Sequence, residues 1–155
     1  MLPFASMNKI EQTIQTQNFT GRRHKALMGL VLLSHQINEK RHDILKPYNI
    51  TSQQYNVLRI LRGQNPKPLT MQDIRARMLD KMSDVTRLVE RLLKMGLVKR
   101  DINPQDKRMV YVSITQEGLG LLTLIDPHIK DIWEMPKLND QEVENLIGLV
   151  EKLLD

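Results

Sequence analysis

The sequence contains no cysteine, and this absence rules out thiol redox sensing and zinc sites built from cysteine ligands. It also has no apolar run near the ~20 residues that a membrane-spanning helix needs. The first seven residues have neither the basic end nor the longer apolar core of a secretory signal. We therefore expect a soluble, cytoplasmic protein that neither enters a membrane nor is exported.

Motifs of common enzyme chemistries are also missing. We find no glycine-rich phosphate loop, no nucleophile elbow and no pair of histidines at HExxH spacing. The carboxylates are scattered, and the half that lies in residues 115–155 is typical of a solvated surface. These absences favour a protein that is not an enzyme and that needs no cofactor and no metal.

Negative charge is scarce in residues 1–114, which contain 20 lysines and arginines against 9 aspartates and glutamates. Residues 115–155 reverse this balance, with 3 basic residues against 9 acidic ones. A basic body with an acidic end favours a polyanion as the partner of the body. Ordinary variation of surface charge would give the same numbers. Charge alone therefore does not establish a nucleic-acid partner, and the sequence motifs are needed as further evidence.

The apolar spacing predicts a mainly α-helical chain with a small β-wing, folded as one compact domain. Capping-box pairs mark three helix starts: Thr51 with Gln54, Asn139 with Glu142, and the close variant Thr70 with Asp73. The predicted helices cover about residues 22–46, 52–62, 71–78, 83–95 and 140–154. A further helix, capped by Thr115, extends to about Trp133, and Pro127 should bend or restart it. Leu69 and Thr70 form a token strand.

A helix of about eight residues, a tight turn over residues 79–82 and a helix of about thirteen stand in sequence, which is the helix-turn-helix arrangement. Gly96 supplies a left-handed stop after the second helix. Residues 98–102 and 109–114 then form two strand-like runs around a polar tip at 103–108. A helix-turn-helix that leads straight into a basic hairpin is how a winged helix grips DNA.

The second helix of this pair has two different faces. Its apolar face repeats at helical spacing through Val85, Leu88, Val89, Leu92 and Leu93. On the opposite face, Arg87 and Arg91 lie one turn apart, and either can form a bidentate pair with a guanine edge, worth ~1 to 3 kcal/mol of discrimination. We expect one of them to contact a base and the other a phosphate.

Other polar residues of this helix have weaker assignments. Ser83 and Thr86 are candidates for phosphate or base bonds, with Ser83 also a candidate helix cap. Lys94 is a phosphate contact or plain surface. The alternative is that this helix simply exposes a solvated basic face. Glu90, an acidic residue beside the arginines, is consistent with that alternative, whereas the hairpin that follows the helix argues against it.

The hairpin tip carries Lys107 and Arg108, and Pro104 stiffens its approach. A long cation at such a tip can enter an A·T-rich minor groove, whose narrowness deepens the negative potential. Charged hairpin tips commonly face solvent, so the preceding helix decides the interpretation.

Amphipathic segments flank this module. The helix over 140–154 has an apolar seam that alternates three and four residues. We predict dimerisation helices at 1–46 and 116–155 around a winged helix-turn-helix at 47–115, with a second copy of the chain covering the seam. The alternative is that these helices fold back on their own domain.

The histidines His24, His35 and His42 return to nearly one face of the first long helix. Rises of ~1.5 Å per residue put neighbours ~10 Å or more apart, too far to share a metal. We expect a polar strip at the dimer interface, with a metal site completed by other helices as the lesser alternative.

These features resemble the multiple antibiotic resistance regulator (MarR) family. The resemblance covers about residues 22–154 and is carried by ordered motifs: residues 50–61, 85–92, 96–100, Asp106-Lys-Arg108 and 112–118. It implies a homodimeric transcription regulator that recognises a pseudo-palindromic operator in double-stranded DNA. A small aromatic or anionic effector often releases such a regulator.

The resemblance also assigns residues. Arg108 matches the wing arginine that family members insert in the minor groove, and Asp106 matches the carboxylate that steadies the wing. Asp84 stands where many members have a small polar residue, so it is either turned away or reads a cytosine amino group. The implied effector site lies where the dimer and DNA modules meet, with these candidates: Tyr48, Tyr55, Arg59 and Trp133.

The favoured function is a DNA-binding regulator, and repression is its expected outcome. The alternative is a winged helix that serves as a protein-interaction module without direct DNA readout. An apolar recognition face would mark that alternative, and the arginine and threonine pattern argues against it.

Overall fold

The structure is a computed structural model that describes residues 8–102, 110–133 and 137–154. Its helices are α1 (Lys9–Ile14), α2 (Arg22–Leu45), α3 (Ser52–Gln64), α4 (Met71–Arg77), α5 (Val85–Lys94), α6 (Gln116–Trp133) and α7 (Asp140–Leu154), with a 3₁₀ turn at Lys46–Tyr48. The strands are β1 (Leu69–Thr70), β2 (Val98–Ile102) and β3 (Val110–Ile114). The predicted fold class, mainly α with a small β-wing, is confirmed.

The three strands form one antiparallel sheet in the order β1-β3-β2. Leu69 pairs with Val112 on one side of β3, and Val98 pairs with Ile114 on the other. The predicted token strand and both wing strands are therefore present. Met109, predicted as the first residue of β3, lies outside the described residues.

Side-chain caps fix most helix starts, as their sequence spacing predicts. The Thr51, Thr70 and Asn139 side chains each accept a hydrogen bond from the backbone N–H three residues later. Thr115 caps α6 in the same way, because its hydroxyl accepts from the Gly118 N–H at 3.1 Å. These bonds lie within four residues of sequence, so they depend on local sequence and not on tertiary contacts.

Three details differ from the prediction. The sequence analysis did not identify α1, although Asn8 and Glu11 form a reciprocal capping box at its start. Helix α5 begins at Val85, because Asp84 rather than Ser83 is its cap. Pro127 lies inside α6, so the helix does not restart there, and the bend that proline also predicts stays a prediction.

The core lies between the winged helix and α6. Its buried side chains come from the end of α2, from α3, α4, α5, the sheet and α6, and the largest of them are Leu45, Leu58, Leu61, Ile74, Met78, Leu92, Leu122 and Ile125. Helix α6 also packs against α2, so it contacts both the winged helix and the long N-terminal helix.

Gly118 allows the close approach of α6 to the sheet. A Cβ atom at this position would lie 2.2 Å from the carbonyl oxygen of Leu97 and 2.8 Å from the Ile114 side chain. Only glycine fits such a contact, so Gly118 sets the distance between α6 and the wing.

Apolar side chains remain exposed on the two terminal helices. On α2 they are Leu27, Leu30, Val31 and Leu33; on α7 they are Ile147, Leu149, Val150, Leu153 and Leu154. No residue of α7 is buried among those that the structure describes. Within the same ranges, no helix is long and apolar enough to cross a membrane.

Candidate nucleic-acid interface

Helix α5 is divided as its sequence predicts. Val85, Val89 and Leu92 are buried against the core, with exposures of 1%, 0% and 0%. The exposed side chains are, in order across the helix surface, Thr86, Glu90, Lys94, Arg87 and Arg91. The core therefore holds the helix by one face and presents a basic polar face to solvent.

Asp80 organises the turn that leads into α5. Its carboxylate accepts from the Met82 N–H at 3.0 Å and from the Ser83 hydroxyl at 2.9 Å. Lys81 donates to the Ala76 carbonyl at the end of α4. Ser83, a predicted DNA contact, thus has its hydroxyl proton committed to Asp80 while its oxygen can still accept.

Asp84 caps α5. Its Oδ1 atom accepts from the Arg87 N–H at 3.1 Å, and a carboxylate there also complements the positive end of the helix dipole. The two alternatives for Asp84 were that it turns away from DNA or that it reads a cytosine amino group. The cap directs Oδ1 towards the helix backbone, as the first alternative requires. A role for Asp84 in reading a base stays a prediction.

Arg87, Arg91 and Lys94 form the cationic part of the face. All three are exposed, and none makes an ion pair with another residue in the part of the chain that the structure describes. Their charges are consequently available to an outside anion. The structure brings them together as predicted, and their contacts with DNA stay predictions.

A groove runs beside this face, between α4, α5 and the sheet. It measures about 680 Å³ and includes Thr86 and Glu90 from α5, Gln72 from α4 and Arg100 from β2. Arg75 lines the adjoining crevice between α4 and α5 together with Gln72 and Thr86. The sequence analysis did not single out Gln72, Arg75 or Arg100 for this interface. The helical spacing of Gln72 and Arg75, three residues apart, is the signal that could have identified two of them.

The start of α4 is held by a charged cap. The Asp73 carboxylate accepts from the Thr70 hydroxyl at 2.7 Å and from the Thr70 N–H at 3.1 Å. The hydrogen bond from the Thr70 side chain, followed by that from its backbone, lowers the pKa of Asp73 below its usual 3.8. The carboxylate therefore stays ionised and fixes the helix that supports α5.

The wing is present up to the ends of its strands. Lys99 and Asp101 pair across 3.9 Å on the exposed face of β2. The predicted tip residues Asp106, Lys107 and Arg108 lie outside the described residues, so their roles stay predictions.

The four predicted effector residues differ in their surroundings, and their role stays a prediction. Tyr55 is buried at 3% exposure, and its hydroxyl donates to Asp126; the Arg59 guanidinium lies 6.0 Å from its ring centroid. Tyr48 packs against the core, whereas Trp133 is 49% exposed. None of these four side chains lines the cavity that lies nearest the turn before α5.

That cavity measures about 540 Å³ and lies between α2, α3 and the turn before α5. It is lined by Asn38, Arg41, His42, Ser52, Gln53, Asn56, Met78, Leu79 and Asp80. Arg41 donates to the Asn38 side chain, but its Nε atom is buried and has no hydrogen-bond partner among the described residues. The Arg41 guanidinium in the wall gives this cavity a positive charge, which favours an anion as its ligand.

The histidines make local contacts only. His24 accepts from the Thr20 N–H at 3.1 Å, and His35 lies 3.3 Å from Glu39 one turn away. Within residues 8–102, 110–133 and 137–154, no group of three or more histidines and carboxylates is placed to hold a metal ion.

Comparison with known proteins agrees with this geometry. The MarR family model matches residues 50–110, which span α3 to the first residue of β3. The HTH-type transcriptional regulator MhqR of Bacillus subtilis is 28% identical over 134 residues, covering 83% of this chain and 91% of that protein.

Solved structures extend the match to almost the full length. A MarR transcription factor from Planctomyces limnophilus is 30% identical, with a TM-score of 0.67 over 86% of this chain and 98% of that one. A mutant MarR from Escherichia coli, crystallised with operator DNA, has the same fold at 22% identity and a TM-score of 0.72, covering 96% of this chain and 100% of that one. The chain belongs to the MarR family of DNA-binding transcription regulators.

Proposed function

We propose that this protein is a homodimeric repressor that binds a pseudo-palindromic operator and leaves it when a small effector binds. The observation that carries the proposal is the exposed face of α5, where Thr86, Arg87, Arg91 and Lys94 lie opposite the buried side chains of Val85, Val89 and Leu92. A helix held in this way can enter the major groove without exposing its core.

The charged face argues against the protein-interaction alternative. A docking face for a protein partner is enriched in aromatic and apolar side chains at its centre. The exposed positions of α5 are polar or charged, and its leucines Leu88 and Leu93 are partly buried against the core. DNA therefore fits this surface better than an apolar partner does.

The exposed apolar faces of α2 and α7 support a homodimer. Helix α7 buries none of its described residues in the single chain, although Leu153 is 63% exposed and Leu149 is 60% exposed. Apolar side chains exposed in such number on one amphipathic helix are typical of a surface that a partner covers. A second copy covers both faces at once, and two-fold symmetry then matches two recognition helices to an inverted repeat.

Each module has a separate task in this proposal. One of Arg87 and Arg91 reads a guanine while the other contacts a phosphate, with Ser83, Thr86 and Lys94 as supporting contacts. The wing extends from β2 and β3, and its tip arginine Arg108 enters the flanking minor groove. A dimer seated on the operator blocks access to that DNA, and repression follows.

The cavity beside Arg41 is the place where we expect an anionic effector to bind. Its wall includes Leu79 and Asp80, which belong to the turn before α5. A bound anion would contact this turn and could therefore change the orientation of α5. Benzoate, a minimal aromatic anion, should bind the wild-type protein more tightly than the Arg41→Gln variant in calorimetry. Equal affinities would remove Arg41 from effector binding.

Selection of bound sequences from random duplex DNA tests the function as a whole. The expected result, at near-physiological salt, is enrichment of an inverted repeat with half-sites about one helical turn apart. Affinity for the selected duplex should also fall steeply as salt rises, because each neutralised phosphate releases counterions. A well-folded protein that enriches no sequence would contradict direct DNA readout and favour the protein-interaction alternative.

A further inference from the structure

One carboxylate joins the winged helix to α6. Arg62, on α3, places Nη1 against Oδ2 of Asp126 and Nη2 at 3.5 Å from Oδ1. The Tyr55 hydroxyl donates to the same Oδ1 atom at 3.3 Å. Tyr55 and Arg62 are seven residues apart and so lie on one face of α3, two turns from each other. The Asp126 side chain of α6 is therefore hydrogen-bonded to two residues of α3 that lie two turns apart.

The surroundings of Tyr55 keep it in place as a donor. Its side chain is 3% exposed and packs in the core, so the position of the hydroxyl is set by packing. Burial, and then the negative charge of Asp126, raises the pKa of Tyr55 above its usual 10.0. The hydroxyl keeps its proton at neutral pH and continues to donate to Asp126.

This contact defines position more than it adds stability. The Arg62 and Asp126 side chains are 34% and 39% exposed, and ion pairs with that access to water contribute little to folding. Two hydrogen-bonding partners on one carboxylate nevertheless favour one rotation of α6 against α3, because other rotations would break at least one of these bonds. Helix α6 also packs on α2, so this rotation passes to α2, one of the two helices that carry exposed apolar side chains.

We propose that Asp126 is a positioning residue that holds each winged helix at a fixed angle to the dimerisation helices and thereby sets the half-site separation that the dimer accepts. This inference rests on the proposed function. Two recognition helices must reach successive major grooves at once, and a joint that swings freely would let them reach half-sites at several separations. A fixed joint favours one separation and penalises the others.

The test measures binding of the intact dimer to duplexes that carry its selected half-sites with the spacer unchanged, shortened or lengthened by one or two base pairs. The wild type should bind one spacer much better than its neighbours. Asp126→Asn should bind that spacer about tenfold more weakly and should lose most of its preference among spacers. Tyr55→Phe, which keeps the ion pair and the ring packing, should reduce the preference by a smaller factor and guards against a folding defect in the first variant.

Asp131→Asn is the matched control, since it makes the same charge change at an exposed position of α6. It should leave the spacer profile unchanged. A sharp spacer profile that persists in both Asp126→Asn and Tyr55→Phe would overturn the positioning role alone. A wild-type protein that binds no inverted repeat at any spacing would overturn the proposed function and this inference together.

Discussion

Asp80 and Asp84 decide how the recognition helix α5 begins. Asp80 holds the Met82 N–H and the Ser83 hydroxyl, and Asp84 caps the helix. Two carboxylates near the start of a DNA-reading helix would repel phosphate if their charge faced outwards. Their hydrogen bonds direct the carboxylates towards the turn and the helix backbone, and in the proposed complex Arg87 and Arg91 would then face the DNA.

The two arginines should differ in what their loss changes. We expect one of Arg87→Ala and Arg91→Ala to relax the base preference at one position of each half-site, at a cost of about 1–3 kcal/mol. The other should weaken binding equally across sequences and lower the salt dependence, as a lost phosphate contact does. Binding-site selection with each variant, with Lys137→Ala as a control away from α5, distinguishes them. An unchanged operator preference in both variants would remove the base-reading role.

Asp73 should contribute to the loss of folding stability at acid pH. Its pKa is lowered in the folded state by the Thr70 side chain, so its contribution is present above the unfolded pKa and is lost as pH falls through the folded value. Unfolding by denaturant, followed from about pH 5 down to about pH 2, should show a stability loss in the wild type that is smaller in Asp73→Asn. Equal acid dependence of the two proteins would contradict this assignment.

At the scale of helices and strands, the sequence predicts local features well. The bounds of α7 agree with prediction, and the caps at Thr51, Thr70, Thr115 and Asn139 form as expected, because each depends on residues three apart. The same local signal at Asn8 and Glu11 marks α1, yet six residues give too short an apolar pattern to identify a helix alone.

Features that join distant segments could not be predicted. The Arg62–Asp126 pair spans 64 residues of sequence, and the cavity beside Arg41 combines α2, α3 and the turn before α5. No periodicity reports such contacts, since they arise only when the helices pack. For this reason the effector candidates Tyr48, Tyr55, Arg59 and Trp133, chosen from aromatic and charged residue types near the junction, do not coincide with that cavity.

Gly118 offers a test of how α6 seats on the wing. Gly118→Ala should destabilise the protein by several kcal/mol, because its Cβ would lie 2.2 Å from the Leu97 carbonyl oxygen and α6 would have to move. Gly120→Ala, two residues along the same helix, meets nothing within 4 Å and should be neutral or stabilising by about 0.5–1 kcal/mol. Chemical denaturation compares the two, and equal effects would contradict the close contact.

For the whole molecule, the division of charge matches the division of tasks. The basic residues lie mostly before residue 115, where the winged helix is, and the acidic end forms α6 and α7. In the proposed complex, the acidic surface of α6 and α7 would repel phosphate and so favour DNA on the winged-helix side of that end. The charge pattern and the exposed apolar side chains of α2 and α7 therefore both support the proposed arrangement, in which the winged helices bind DNA and the terminal helices form the dimer.

The dimer should depend on the apolar seam of α7. Leu153→Glu places a charge on this seam and should shift the protein from dimer to monomer in sedimentation, with a large loss of operator affinity. Gln141→Glu adds the same charge at an exposed polar position of α7 and should change neither property. A Leu153→Glu protein that stays dimeric would exclude this part of α7 from the interface.

The most direct measurement compares the selected inverted repeat with the same duplex in which one half-site is scrambled, recording affinity and the number of protomers bound. We predict two protomers on the intact repeat. Affinity should fall about a hundredfold or more when one half-site is scrambled, because only one of the dimer's two recognition helices then makes specific contacts. Equal affinity for both duplexes, or one protomer bound to the intact repeat, would contradict a dimer that reads two half-sites with α5.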